Sequence, residues 1–105
     1  MPSVDELYDE AIALQEKGEL QAAIDKLKLA LAENPDHALA HAAMSVFCGR
    51  LEQFDEAVEH AQRVCQIEPD DAFSFVALSL ICQKAGRLAE AEEASMQARR
   101  MQYSG

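Results

Sequence analysis

The chain repeats itself at intervals of 34 residues. Ala23, Ala57 and Ala91 stand 34 apart in turn, as do Pro35 and Pro69. The pairs Asp36/Asp70, Glu56/Glu90, Glu59/Glu93 and Cys48/Cys82 keep the same offset. A period of this length marks stacked helix–turn–helix units, each of which needs its neighbours to bury its apolar face. Three units, at about 4–37, 38–71 and 72–105, account for the 105 residues as a single domain. Arrays of this kind bind other molecules over an extended surface. Binding is therefore expected ahead of catalysis.

Apolar residues recur with helical period throughout. Helices are expected at about 4–17, 20–33, 37–51, 54–67, 71–85 and 88–102, giving an all-α fold of six helices in three antiparallel pairs. Ser3 with Glu6 has the spacing of a capping box. Gly18 and Gly86 fall where the first helix of a pair turns into the second, a place that favours left-handed backbone. The middle pair has Glu52 there, so its turn is expected to differ. Asn34-Pro35-Asp36 and Glu68-Pro69-Asp70-Asp71 should end the second helix of one pair and cap the first helix of the next.

Placed in register, these residues resemble the tetratricopeptide repeat, with its pattern W-x2-L-G-x2-Y…A-x3-F…P. The large first position holds Leu7, His41 and Phe75, and the next apolar position Glu10, Met44 and Leu78, of which Glu10 departs from the pattern. The small position holds Ala11, Ser45 and Ser79; the tyrosine position holds Leu14, Cys48 and Cys82. The alanine is present three times, the phenylalanine position holds Leu27, Ala61 and Ser95, and the proline is present twice, with Tyr103 in its third place. The resemblance implies a right-handed α-solenoid whose first helices line a concave groove.

Both ends of the array read as outward faces. Leu20, Ile24, Leu27 and Leu31 of the first repeat correspond to Phe54, Val58, Ala61 and Cys65, then to Leu88, Glu92, Ser95 and Arg99. Two positions that are apolar twice are charged in the last copy, as a terminal face in water requires. Glu6, Asp9 and Ala13 stand where later copies have Ala40/Ser74, Ala43/Ala77 and Phe47/Ile81. A three-repeat array is the expected reading; excision from a longer array is the alternative.

On each first helix one apolar stripe must pack on its partner: Leu7/Ala11/Leu14, Met44/Cys48 and Leu78/Cys82. A second stripe runs beside it: Tyr8 and Ile12; Leu39, Ala42 and Val46; Phe73, Val76 and Leu80. Spacings of three and four keep each set on one face. The stripe either closes adjacent first helices against each other or forms a groove for an amphipathic helix or extended apolar peptide of another protein. The rival role is a structural scaffold that uses the same groove to homo-oligomerise. Arg50 and Lys84, with Glu16 as their first-repeat equivalent, stand on the rim; they suit a ligand carboxylate, or simply the carboxyl end of a helix. Family members that serve as co-chaperones grip an acidic C-terminal peptide with Lys, Asn and Arg. The matching positions here are Tyr8, Ile12, Val46, Phe73 and Ala77, which lack that chemistry.

The rest of the sequence argues against other functions. The net charge of −10 disfavours nucleic acid and anionic membrane surfaces. The charge is uneven: nine acids and three bases in 4–37, seven and two in 38–71, three and four in 72–105. The opening residues lack the pattern of a secretory signal, and no apolar run is long enough to insert in a membrane. Cys48, Cys65 and Cys82 have no CxxC spacing and are expected as free thiols in a reducing, cytoplasmic setting. His37 and His41 are four apart, a two-ligand spacing for zinc with Asp36 nearby, but no companion motif supports a site. No nucleophile triad, phosphate loop or HExxH is present. Glu59 and Glu93 read as a solvated face. No enzyme activity, metal or cofactor is expected.

Overall fold

The computed structural model describes residues 2–103. They form six helices: α1 Val4–Glu16, α2 Leu20–Glu33, α3 Ala38–Arg50, α4 Phe54–Ile67, α5 Ala72–Lys84 and α6 Leu88–Tyr103. Each lies within a residue of its expected bounds. α1 packs on α2, α3 on α4 and α5 on α6, and the hairpins join through α2 against α3 and α4 against α5. The stack measures 43 × 27 × 20 Å.

Alanines set the close approach of paired helices. Ala11, Ala23 and Ala57 are fully buried and Ala91 nearly so, between Ile24, Leu27, Met44, Phe47, Cys48, Val58 and Cys82. The position reserved for a large residue holds buried Leu7 and His41, and half-buried Phe75.

The three turns within hairpins are alike. Gly18 and Gly86 have φ of 82° and 78°, and Glu52 adopts the same left-handed backbone at φ 60°. The amides of Glu19, Gln53 and Arg87 bond Leu14, Cys48 and Cys82 carbonyls at 2.8–2.9 Å. The expected difference in the middle turn is therefore absent. Two amides of each turn must reach back into the preceding helix, and that geometry prevails over the preference of the side chain.

The caps differ more. Ser3 Oγ accepts from the Glu6 amide at 3.2 Å, but its hydroxyl donates to Glu6 Oε1, so the reciprocal half of a capping box is replaced. Asp71 caps α5, accepting from the Phe73 amide at 3.0 Å. α3 is capped by His37, whose Nδ1 accepts from the Ala40 amide at 3.1 Å, and not by Asp36. The Asp36 amide is turned onto Asn34 Oδ1 (3.1 Å), and its carboxylate pairs with Arg63 of α4.

Candidate functional site

α3 and α5 stand side by side, each packed chiefly on α4, with few close backbone approaches between them. The result is a groove of about 600 Å³, walled by α3 and α5 and floored by Ala61 and Val64 of α4. Leu39 (61% exposed) and Val46 (51%) project from one wall, Phe73 (79%) and Leu80 (55%) from the other. The second stripe thus does not close the adjacent helices onto each other in this region. Ala42, Arg50 and Lys84 also line the groove.

The remaining members of the stripe lie elsewhere. Tyr8 and Ile12 are half-buried and pack against the core, the Tyr8 ring 5.9 Å from that of His37. Val76 is 37% exposed but is not among the residues lining the groove. Among the lining residues from outside the stripe are Val64, Ala77 and Ile81. Val64 belongs to a second helix. Ala77 shares the register of Ala43, which is buried, and instead opens into the groove. Ile81 reaches across to α3 because Gly49 makes room; a Cβ at Gly49 would stand 3.0 Å from Ile81 Cδ1. Gly49 was the available signal, as a helix-interior glycine marks close approach.

Charge is unevenly placed along the groove. Arg50 and Lys84 stand together at the end formed by the C-termini of α3 and α5, and Glu68 and Asp71 line the other end. Lys26, Arg63 and Arg87 pair with carboxylates, whereas among the described residues neither Arg50 nor Lys84 does. The Arg50 guanidinium lies over the Phe47 ring of its own helix, 5.9 Å from the centroid.

The histidines are engaged in structure. His37 uses Nδ1 for its cap and Nε2 toward Asp5 Oδ1 at 3.4 Å. His41 is buried and turned away from it. Its Nε2 lies 2.7 Å from the Pro35 carbonyl, which can only accept, so Nε2 carries the proton. Its bare Nδ1 then accepts from Nδ1–H of His60, 2.9 Å away. Burial, reinforced by the neighbouring His41, holds His60 below the ordinary histidine range. Among the described residues no group of His, Cys, Asp and Glu has the arrangement of a metal site. Cys48, Cys65 and Cys82 are buried free thiols; burial raises all three, Cys65 to about 11, which opposes thiolate chemistry. No described helix is long and apolar enough to cross a membrane.

The stack and its groove define a class: helix-hairpin arrays with a lined inner face. No protein-family model matches the chain, and no curated protein sequence does. Solved structures do. A crystal structure of MamA matches with a TM-score of 0.89 at 24% identity, over 97% of this chain and 60% of that one. The second TPR of Spaghetti (RPAP3), bound to the HSP90 peptide SRMEEVD, matches at 0.83 and 15% identity, over 94% and 92%. The Sgt2 TPR domain from Aspergillus fumigatus matches at 0.84 and 22%, over 97% and 68%. The chain has the tetratricopeptide-repeat fold. It spans 60% of the length of the MamA chain it matches.

Proposed function

We propose that this chain is a protein-interaction adaptor, a chaperone-like binding module that takes an apolar segment of another protein into the groove between α3 and α5. One observation carries the reading: four large apolar side chains, Leu39, Val46, Phe73 and Leu80, are each more than half exposed on facing walls of one groove. A contiguous apolar surface of this kind is unfavourable in water and marks an interaction site. The likeness to a TPR solved with a peptide supports the same reading. That peptide's chemistry does not transfer, because the positions expected to grip it are Tyr8, Ile12, Val46, Phe73 and Ala77 here. A binding role accounts for the groove without a catalytic group, and the buried thiols accord with a reducing, cytoplasmic setting.

Val46→Glu and Leu80→Glu test the reading. Both positions are exposed, so far-ultraviolet circular dichroism should be unchanged, while a charge in the contact removes apolar area and adds a desolvation penalty. Capture of a partner from native lysate should be lost in both variants. Retained capture by a folded variant places the binding surface elsewhere. The scaffold role predicts instead a mass that rises with concentration across a dilution series and falls to that of a monomer in the same two variants.

A further inference from the structure

The walls of the groove restrict the form of what fills them. An extended segment carries unpaired amides and carbonyls along its length, and these need partners when they leave water. The groove has few to offer. Ser74 already donates its hydroxyl to Asp71 at 3.3 Å and Asp71 accepts from the Phe73 amide, so the free polar groups are the charged ones at the two ends, Arg50 and Lys84 at one and Glu68 and Asp71 at the other. Ser45 is buried in the wall. A helix satisfies its own backbone internally and asks only for apolar contact.

The spacing along the walls fits a helix as well. Leu39 and Val46 are seven residues apart, as are Phe73 and Leu80. Seven residues are two turns, a rise of about 10.5 Å. A partner helix presenting apolar side chains two turns apart meets both pairs with the same period. Arg50 and Lys84 each follow four residues later, one further turn along the same face.

Those two cations supply a direction. Like Lys17, Lys28, Arg99 and Arg100, they pair with no carboxylate among the described residues, but they alone of these line the groove, at the carboxyl ends of α3 and α5. Acidic residues favour the first turn of a helix, where they meet its positive end. A helix with its first turn at Arg50 and Lys84 sets its dipole against those of its two neighbours, and acidic side chains in that turn offset the repulsion between its positive end and the two cations. Its last turn then falls near Glu68 and Asp71, where basic residues are favoured on both counts.

We propose that the occupant of the groove is an amphipathic helix of another protein, acidic in its first turn, lying antiparallel to α3 and α5 with those carboxylates at Arg50 and Lys84. The proposal rests on the groove being the binding surface.

Three synthetic helical peptides, acetylated and amidated at their ends, test it. They share one apolar face. One carries glutamates in its first turn, one carries them in its last turn, and one has glutamine at both places. Binding is followed by fluorescence anisotropy at low salt. The first-turn peptide should bind roughly fivefold more tightly than the other two, the scale of two partly exposed ion pairs. That advantage should vanish in Arg50→Gln/Lys84→Gln and weaken as salt is raised. Equal affinity for all three peptides, lost in Leu80→Glu, overturns the assignment while leaving the groove as the site. Tightest binding by the last-turn peptide overturns the direction, and an advantage that survives in the double variant overturns the two residues. Failure of all three to bind removes the groove reading and the proposal with it.

Discussion

Glu52 shows at one residue how the array overrides local preference. Its φ of 60° places a Cβ where glycine carries none at the two equivalent turns. Left-handed backbone costs a non-glycine residue about 1–2 kcal/mol. Glycine loses part of this advantage through its freer unfolded chain, so Glu52→Gly should stabilise the protein by about 0.5–1 kcal/mol. A thermal melt moved upward by a few degrees is the expected result; no movement would mean that the Glu52 side chain offsets its own strain. Ala57 is the opposite case. It is fully buried at the crossing of α3 and α4, and its helix also packs on α5. Ala57→Leu should cost about 1–3 kcal/mol by overpacking. It should be the most damaging of the three equivalent changes, because Ala23 and Ala91 lie on helices with a neighbour repeat on only one side. A melt no lower than the parent's contradicts the register.

At the scale of elements, the histidine pair joins parts that the repeat pattern keeps separate. His41 ties α3 to the Pro35 turn, and through His60 to α4. His60 is depressed in the folded protein, first by burial and then by His41, against the opposing influence of Glu59 and Glu56. The unfolded chain therefore binds more protons than the folded one once pH falls to about 6.5, the ordinary histidine value. Stability from this group is present above that pH and is lost as pH falls toward the lowered folded value. The melting temperature should decline between pH 7 and 5.5, and His60→Gln, which keeps a donor toward His41, should flatten that decline. An equal decline in both proteins would assign the effect to other groups. Neither partner was marked by the sequence: His41 read as a large core residue and His60 carried no repeat signal, since 19 residues separate them.

For the molecule as a whole, the two outer faces and the groove set how it meets others. Glu92 and Arg99 are exposed on α6, as are Glu6 and Asp9 on α1. Their counterparts in the inner repeats, Val58 and Cys65 for the first pair and Ala40 and Ala43 for the second, are buried. Leu88 beside Glu92 is 68% exposed, so charge alone keeps this face from being continuous apolar surface. Glu92→Val with Arg99→Leu should extend it and cause open, end-to-end association, as heterologous contacts do. Sedimentation of parent and variant at matched concentration reads the difference. A parent that already polymerises through residues 88–102 would show those charges pairing across an interface.

The 34-residue period by itself determined the six helices, their pairing and the small residues at each crossing. These depend on local hydrogen bonding and on neighbours one repeat away, and both are written at fixed spacing. Ala23, Ala57, Ala91, Gly18 and Gly86 are legible for that reason. The same spacing placed Leu39, Val46, Phe73 and Leu80 on one face, yet Tyr8, Ile12 and Val76 carried an identical signal and lie outside the groove. Only the tertiary structure separated them. How far α3 and α5 stand apart depends on what α4 places between them, on Ile81 reaching over Gly49, and on small side chains at Ala61 and Ala77. Periodicity sets the direction in which a side chain points; the distance to the helix opposite is set by the volumes of all the residues packed between.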